Sequence, residues 1–434
     1  MKQVSALRGA TPIQRRGMAM AIGTQCLGSL GVAFAGNGLL LLYLLALDFD
    51  EAIALALTSG LQLTNIMAIF FANWAEKRGL KWVGAMSLVL NAVGLALMGL
   101  VYLIPKDLRL LAMGVAIFVY SMGKPLFTGI WFPLLKGVIP EGLRGRFFGL
   151  LRFSWQLAAL SFLMVCPFII GDNGGAKIYA LLLVGIVVAQ VLRIFLFSRI
   201  PSPPLDPSQQ DIDLWGAIRY SLHWPGLASF CAYVFLLTLA TGMTHTTFAL
   251  TEKMVLGLSD SVVVWLGNLG VFGSILGFLL GGMMIDRYGT KIIFLVGHFG
   301  AGILMFTFVA RGGIPLPTLL TLGLCHGLAG FLLSAVGLAM TTEMFSLEPD
   351  RGKNVAYALM NSCMMIGSSL AGVLGAGAIK LGIFQEKWHL FGATMGAYDA
   401  LLLLSAGAVM LLVVTLCLVP SVLKVKPHRV IPQA

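Results

Sequence analysis

The sequence has 434 residues, of which 58% are hydrophobic and 11% are charged, and its mean hydropathy is +0.92. Soluble domains carry charge on about a quarter of their residues, so this composition excludes an ordinary soluble enzyme or binding module. A formal net charge of +11 also occurs in nucleic-acid-binding proteins. Here, however, the basic residues occupy short loops between long apolar runs, which indicates an integral membrane protein with no nucleic-acid partner.

Apolar runs of about 20 residues, each long enough to cross a bilayer as an α-helix, recur along the whole chain. We place twelve of them at 18–46, 52–73, 82–104, 108–136, 147–170, 177–198, 226–250, 260–285, 291–310, 315–343, 354–380 and 395–419. The first run is too long for a cleavable signal peptide and is expected to be the first span. The predicted fold class is therefore an all-α protein embedded in a lipid bilayer.

Two short charged turns interrupt the first half of the chain. The turn Ala72–Lys81 carries most of its charge near its end, in Glu76, Lys77, Arg78, Gly79 and Lys81. The turn Pro140–Arg146 contains Arg144 and Arg146. Glycine permits a backbone with positive φ, and the bases can donate hydrogen bonds to helix-end carbonyls or to nearby carboxylates.

A composition break follows the sixth apolar run. The stretch Arg199–Ser208 is rich in proline and cannot form a continuous helix. After it, four apolar residues fall on one helical face: Ile212, Trp215, Ile218 and Leu222. This pattern predicts a short helix lying on the membrane surface, with an ordinary loop as the alternative. We therefore divide the chain into a six-helix bundle over 1–198, a linker over 199–225, and a second six-helix bundle with a tail over 226–434.

The second half repeats the charged turns of the first. The turn Gly281–Lys291 contains Gly282, Asp286, Arg287, Gly289 and Lys291. Subtracting 210 from 286, 289 and 291 gives the positions of Glu76, Gly79 and Lys81. In the turn Pro349–Lys353, Arg351 follows Arg144 by 207 residues, since 351 minus 144 is 207. Two different turns that repeat at nearly one offset indicate duplicated halves.

The pattern G-x-x-x-D-R-x-G-x-K over 282–291, between two apolar runs, resembles the signature loop of the major facilitator superfamily of transporters. Six spans, a broken linker and six more spans extend the resemblance over nearly the whole chain. It implies two pseudo-symmetric six-helix bundles that rock about a central site, which is alternating access. The first turn departs from the family pattern, with Ala72 in place of glycine, Glu76 in place of aspartate and Lys77 in place of arginine.

The resemblance also implies a conformational latch, in which charges pin the cytoplasmic ends of the two halves together while the cavity is open outward. The expected pins are the charges of the two glycine-containing turns together with Arg144, Arg146, Glu343 and Arg351. Asp286 and Glu76 are expected near helix N-termini, where the helix dipole favours a negative charge.

The distribution of basic residues predicts the orientation in the membrane. About 18 of the 29 Lys and Arg residues fall on the face that carries both termini, and about seven on the other, which is the asymmetry of the positive-inside rule. Both termini and the linker are therefore expected in the cytoplasm, and the protein in the cell (inner) membrane.

Lys124 is the sharpest candidate for a substrate-binding residue. In the family, spans 1, 4, 7 and 10 line the central cavity, and Lys124 lies near the middle of span 4 beside Pro125. Tyr120 and Ser121 precede it and Thr128 and Trp131 follow it at helical spacing, so that all four share its face. A buried cation is costly inside a bilayer and is a functional candidate by default. The alternative is a structural pairing with an internal carboxylate, but no acid lies at central depth in any span.

Further polar residues in the spans are candidates for the cavity wall: Asn37, Thr241, His245, His326 and Asn361. A lone buried histidine is more often a packing residue than a ligand, and asparagine can equally bond adjacent helices. If transport is coupled to protons, the histidines are the available groups, because Glu252, Glu343 and Asp399 lie near span ends. The ordinary pKa of histidine, about 6.5, suits proton exchange at neutral pH.

These features predict a secondary transporter that moves a small polar or anionic solute, and we favour proton coupling. The sequence contains no G-x-x-x-x-G-K-[ST] loop for ATP, no catalytic constellation and no metal-ligand spacing among its six dispersed cysteines. We expect no enzyme activity, no cofactor and no metal. We expect the protein to be a monomer. The alternatives are efflux of amphipathic drugs and a non-transporting sensor with the same fold.

Overall fold

The computed structural model describes residues 10–136, 138–140, 143–172, 174–201, 214–347, 349, 352–384, 387–390 and 393–418. Arg351, Ile212 and the proline-rich part of the linker lie outside these residues. The side chains of Glu76, Lys77, Arg144 and Arg146 are also outside the description. Their predicted roles in the latch stay predictions.

Nearly all of the described chain is α-helical. The helices are α1 Pro12–Gly36, α2 Leu39–Ala46, α3 Glu51–Gly60, α4 Ala68–Arg78, α5 Leu80–Leu100, α6 Lys106–Lys136, α7 Arg144–Ile170, α8 Ala176–Ser198, α9 Leu214–His223, α10 Leu227–Thr241, α11 Thr244–Leu250, α12 Asp260–Tyr288, α13 Thr290–Val309, α14 Thr318–Ser346, α15 Lys353–Lys380 and α16 Ala397–Leu418. Two strands, β1 Trp388–Leu390 and β2 Ala393–Met395, pair as an antiparallel hairpin.

Twelve helical segments are long and apolar enough to cross a membrane, as the sequence predicted. Span 1 begins with α1, span 2 joins α3 and α4, and spans 3 to 6 are α5 to α8. Span 7 joins α10 and α11, and spans 8 to 12 are α12 to α16. We call the face at which α1 begins and α8 ends the terminal face, and the opposite one the distal face.

Spans 1, 2 and 7 are among the described spans that are not continuous α-helices. α1 ends at Gly36 with Asn37 as its C-cap, and the left-handed Gly38 (φ 83°) is the N-cap of α2. A 3₁₀ turn over Leu63–Met67 interrupts span 2, and span 7 ends in a π-helical turn over Thr251–Val255. Broken helices inside a membrane are tolerated where they line a cavity or meet other helices, so these breaks mark candidate functional regions.

Helices within each half approach closely where glycine removes the side chain. In the second half, a Cβ atom added at Gly273 of α12 would lie 1.9 Å from the carbonyl oxygen of Gly327 in α14. At Gly277, one turn further on, it would lie 2.3 Å from the carbonyl oxygen of Phe331. The glycines of span 8 therefore let span 10 pack against its backbone.

The two charged turns that the sequence relates by an offset of 210 have the same backbone feature. Gly79 and Gly289 both have positive φ, 98° and 80°, and each lies between two helices. Lys81 Nζ donates to the carbonyl oxygen of Ser198 at the end of α8, at 2.9 Å. The predicted use of a basic side chain at a helix-end carbonyl is thus present in the first turn.

The expectation that Asp286 and Glu76 lie near helix N-termini is wrong. Asp286 lies in the last turn of α12, and Glu76 in the last turn of α4, because both helices continue through the charged sequence until the glycine. The dipole of its own helix therefore does not favour the carboxylate of Asp286.

The two halves are joined at the distal face. Asp260, the first residue of α12, accepts hydrogen bonds from Tyr179 Oη at 2.9 Å and from the backbone N–H of Gly174 at 3.2 Å. Asn268 Nδ2 donates to the carbonyl oxygen of Leu163 at 2.8 Å, and Tyr398 Oη donates to Glu51. An apolar cluster that includes residues of spans 1, 7 and 8 fills the same layer. The distal end of the interface between the halves is therefore closed.

The linker ends in α9, a helix at the position where the sequence predicted one. Trp215 is 68% exposed and Leu222 is 43% exposed, whereas Ala217 and Ser221 are buried. The buried side packs beside Ala68 of span 2 and Val355 of span 11. Contact of the exposed apolar side chains with the membrane surface stays a prediction.

Candidate functional site

A cavity of about 240 Å³ lies within the first half of the chain. Spans 1, 3, 4 and 6 supply its lining residues: Gln25, Gly28, Val32, Asn91, Tyr120, Lys124, Phe127, Thr128, Trp131, Gln190 and Arg193. It occupies the middle of the bundle and extends towards the terminal face, because Trp131 lies near the end of its span. We call it the anion cavity, for the charge of its wall.

Lys124 lines this cavity and is held by a neutral partner. Its Nζ donates to Gln62 Oε1 at 2.6 Å. Gln62 directly precedes the 3₁₀ turn of span 2, and its Oε1 also accepts from Asn65 Nδ2 at 3.1 Å. An amide oxygen orients an ammonium group without neutralising it, so the positive charge of Lys124 remains available to a ligand.

Arg193 of span 6 provides a second cation in the same wall, which the sequence analysis did not identify as a site residue. Its side chain is 7% exposed, and its Nη1 donates to Gln190 Oε1 at 3.2 Å. Gln190 is itself fixed by donating to the carbonyl oxygen of Leu27 at 3.2 Å. Among the described residues, Nε of Arg193 has no hydrogen-bond partner. The guanidinium therefore keeps donor capacity for a ligand.

Gly28 of span 1 makes room for this guanidinium. A Cβ atom added at Gly28 would lie 2.5 Å from Arg193 Cζ, which is closer than atoms can approach. On another side, Arg193 Cζ lies 4.9 Å from the centroid of the Phe127 ring, a cation–π distance. Arg193 is thus held between a helix backbone and an aromatic ring.

The remaining wall of the cavity is strongly aromatic. Phe127 and Trp131 stack with ring centroids 5.0 Å apart and an interplanar angle of 26°. Tyr120 lies about two turns before Phe127 on the same helix and is 8% exposed. Such side chains present flat apolar surface against which another ring can pack.

The charged residues among the described lining of the anion cavity are both basic. Lys124 and Arg193 are both cations, and no lining residue in the described part of the chain is acidic. Two cations without a carboxylate are costly in a medium of low dielectric constant, and an incoming anion lowers that cost. The arrangement can therefore bind a carboxylate or a similar anionic group through charge-assisted hydrogen bonds.

A second and smaller cavity of about 50 Å³ lies where the halves meet, and we call it the histidine cavity. Asn37 of span 1, His245 of span 7, Ser274 of span 8 and His326 of span 10 contribute to its lining. His326 Nε2 lies 2.8 Å from Glu252 Oε1. The sequence placed Glu252 near the end of its span, and it does lie there, but its side chain is fully buried.

The predicted substrate-binding residues thus divide into three groups. Tyr120, Lys124 and Thr128 line the anion cavity, and Asn37, His245 and His326 line the histidine cavity. Thr241 and Asn361 line neither of these two cavities, and Thr241 Oγ1 donates to the carbonyl oxygen of Leu237 in its own helix at 3.0 Å. Sequence reasoning missed Gln62, Arg193 and the burial of Glu252.

The described latch residues of the second half lie apart from both cavities. Asp286 and Arg287 are exposed, and Arg287 lies over the ring of Tyr288 at 5.2 Å. Gly282 and Lys291 are half-buried. Glu343 is buried, where it accepts hydrogen bonds from Thr290 and, at 2.8 Å, from Ser346. Glu343 therefore ties span 10 to the start of span 9 within one half.

The fold is shared with solved membrane transporters. The D-xylose-proton symporter matches with a TM-score of 0.70 and 14% identity, over 90% of this chain and 96% of that one. The nucleoside transporter NupG matches with a TM-score of 0.66 and 15% identity, over 94% and 99%. The peptide transporter POT in complex with sulfate matches with a TM-score of 0.70 and 14% identity, over 93% and 94%. The chain has the twelve-span fold of the major facilitator superfamily, as the charged turns predicted.

One curated relative is similar in sequence, while no family model matches. The chain is 33% identical over 153 residues to the 3-(3-hydroxy-phenyl)propionate transporter of Escherichia coli (strain K12). The match covers 35% of this chain and about a third, 34%, of the length of that relative.

Proposed function

We propose that this protein is a secondary transporter of small aromatic carboxylates, working by alternating access. The observation that carries the proposal is the wall of the anion cavity, in which Lys124 and Arg193 face one space lined by aromatic rings and no acid in the described chain. The two cations bind the carboxylate, and the Phe127–Trp131 stack packs against the ring of the substrate.

The size of the cavity supports a small substrate. At about 240 Å³ it is below the roughly 300 Å³ at which pockets for drug-sized ligands begin. A molecule with one aromatic ring and a short acidic chain suits this space. Large amphipathic compounds do not, which disfavours the multidrug alternative.

The curated relative supports the same substrate class. Its name describes a substrate with a hydroxylated aromatic ring and a propionate group. Each part has a counterpart in the anion cavity, because the carboxylate suits Lys124 and Arg193 and the ring suits the aromatic wall. Tyr120 and Thr128 offer hydroxyl groups for a polar substituent on the ring.

Moving an anion into a cell requires an energy source. A membrane potential that is negative inside opposes entry of a monovalent anion by about 2.3 kcal/mol per 100 mV. Entry of one proton with each anion makes the step electroneutral and removes this opposition. We therefore propose proton-coupled uptake, with both termini in the cytoplasm as the basic residues predict.

A carrier for organic cations is the alternative that the cavity opposes most directly, because both charges on its wall would repel the substrate. A non-transporting sensor with this fold would share the binding site, so transport itself must be measured to distinguish the two.

The test is uptake into proteoliposomes of 3-(3-hydroxyphenyl)propionate and of its carboxamide, which keeps the ring and removes the charge. We expect uptake of the carboxylate and at least about tenfold less uptake of the carboxamide, which corresponds to the loss of a charge-assisted contact. Equal uptake of both, or a preference for an aromatic amine, would refute the proposed function. Binding without uptake would favour a sensor.

A further inference from the structure

We propose that Glu252 and His326 form the site that binds the coupling proton, on the opposite half of the molecule from the substrate. The inference rests on the proposed proton-coupled anion transport and assigns its proton to particular atoms. The two side chains come from spans 7 and 10, both in the second half, whereas all lining residues of the anion cavity come from the first half.

The Glu252–His326 pair is buried, and each of the two described side chains has one polar atom without a hydrogen-bond partner. Glu252 is 0% exposed and His326 is 2% exposed. The 2.8 Å contact joins His326 Nε2 to Glu252 Oε1. Within the described ranges, His326 Nδ1 and Glu252 Oε2 have no hydrogen-bond partner. The contact thus places the donating hydrogen on Nε2, and Nδ1 is then free to accept a further proton.

The charge balance of the pair favours one bound proton. With a neutral imidazole and an ionised carboxylate the pair carries one negative charge, which is costly when buried. A proton taken up on Nδ1 gives an imidazolium beside a carboxylate, with a net charge of zero. Release of that proton restores the neutral imidazole and breaks no other bond. The proton therefore binds and leaves as a single transferable charge.

The other titratable or charged groups that face the pair in the described chain do not already neutralise it. His245 of span 7 has its ring 6.4 Å from that of His326, and Cys325 precedes His326 in span 10. Lys253 follows Glu252, but its Nζ lies 2.5 Å from Asp260 Oδ1 and is engaged there. Beyond the Phe248–Phe308 ring stack, Arg311 pairs with Asp399 at 2.6 Å. Each cation here other than histidine already has its own acid.

The histidine cavity gives a path by which a proton can reach the pair. It contacts His326 and His245, and about 50 Å³ is enough space for water, which needs about 10–15 Å³. Asn37 of the first half also lines it, so the cavity lies at the interface that opens and closes in alternating access. Phe248 packs edge-on against His326, with the ring centroids 5.1 Å apart.

The π-helical turn Thr251–Val255 links the proton site to the distal closure. Consecutive residues of this turn point to different partners, Glu252 to His326 and Lys253 to Asp260. Asp260 is the residue that accepts hydrogen bonds from Tyr179 and Gly174 across the halves. A change in the charge of Glu252–His326 is therefore one residue away from Lys253, which pairs with Asp260, the acid that accepts hydrogen bonds across the halves at the distal face. Coupling requires such a connection.

The test compares two transport modes in proteoliposomes for the parent protein, Glu252→Gln and His326→Gln. Exchange of labelled for unlabelled carboxylate moves no net proton. Accumulation driven by a pH gradient does move protons. One proton per monovalent anion gives about tenfold accumulation per pH unit. We expect both variants to keep exchange and to lose accumulation.

His298→Gln is the matched control, because His298 is another buried histidine of the second half, 1% exposed, and lines neither of the two cavities. It should keep both modes. Accumulation by Glu252→Gln or His326→Gln that equals the parent would overturn the proposal. So would a parent protein that exchanges the carboxylate but ignores the pH gradient, an outcome that leaves the proposed anion transport intact.

A measurement without substrate keeps the proposal testable if the carboxylate is not transported. Infrared difference spectra of the purified protein between a pH of about 5 and about 8, on either side of histidine's ordinary pKa, report imidazole protonation. The chain has six histidines, so the variants are compared by the size of the imidazole signal. The parent and His298→Gln should give the same signal, and His326→Gln a smaller one. A signal unchanged in His326→Gln would refute the assignment, whatever the substrate.

Discussion

Lys124 illustrates what one residue in a membrane sequence can reveal. A lysine in the middle of an apolar span is rare because its charge is costly there, so its presence alone indicated a site. Helical spacing then placed Tyr120 and Thr128 on the same face, and the structure puts all three on the wall of one cavity. The partner of Lys124, Gln62, could not be predicted because it comes from a break in another span.

The inward direction of Arg193 could not be predicted from the sequence in the same way. It lies five residues before the end of α8, a position from which arginine commonly extends to the membrane surface. Its inward direction depends on Gly28 and Phe127, which belong to spans 1 and 4 and are far apart in sequence. The sequence pattern of span 6 alone therefore does not indicate that Arg193 points into the cavity.

Gly28→Ala should weaken substrate binding without changing any charge. The added Cβ would lie 2.5 Å from Arg193 Cζ, so the guanidinium must move out of its place beside Phe127. We expect a loss of about 1–2 kcal/mol, which is roughly tenfold in affinity. Gly36→Ala, in the same helix, is the control, because a Cβ there meets no atom within 4 Å. Equal losses for both would mean that the effect comes from the helix and not from Arg193.

Among the secondary-structure features, the helix interruptions are the main ones that the sequence did not indicate. Hydropathy predicts where a span lies, but a 3₁₀ turn in span 2 or a π turn in span 7 differs from an α-helix by the register of a single residue. The π turn explains why Glu252, expected near a span end and not as an internal partner, has its carboxylate buried against His326.

The distal closure leads to a prediction about conformational balance. Tyr179→Phe removes the hydroxyl that donates to Asp260 but keeps the ring that packs on Tyr43. Loss of one such hydrogen bond, about 1 kcal/mol, should raise the distal-open population roughly fivefold. Asp260→Asn also removes the charge that pairs with Lys253 and should shift the population further.

Distances between spin labels on the distal ends of the two halves measure this shift. Thr307→Ala serves as the control, because Thr307 is half-buried and its Oγ1 donates within its own helix, to the carbonyl oxygen of Ile303. Distance distributions that stay the same in Tyr179→Phe and Asp260→Asn would mean that Asp260 does not hold the distal face closed.

For the whole molecule, the sequence was sufficient for the fold. The twelve apolar runs follow from the requirement that a bilayer is crossed by helices. The turns repeated at an offset of 210 and the proline-rich break between them indicate two halves. The repeat is visible in three dimensions as the positive φ of Gly79 and Gly289. The proposed division of substrate and proton binding between the halves was not predictable, because it depends on which side chains meet across helices.

Orientation in the membrane is a prediction for the whole molecule, carried by the positive-inside rule. A cysteine introduced at Ser208, in the linker, should react with a membrane-impermeant maleimide only after the cells are opened, in a background without reactive native cysteines. A cysteine at Lys387, near the distal hairpin and exposed, should react from outside. The reverse pattern would contradict cytoplasmic termini.

The most direct test of the central claim is the affinity of the purified protein for 3-(3-hydroxyphenyl)propionate, measured by titration calorimetry for the parent and Lys124→Ala. A charge-assisted contact contributes about 1.5–3 kcal/mol, so we expect binding by the parent and a loss of roughly 10- to 100-fold in Lys124→Ala. Lys124→Arg should recover only part of it because the geometry of its donors differs. An affinity in Lys124→Ala equal to that of the parent, or tighter binding of an aromatic cation than of the carboxylate, would contradict a site built for an anion.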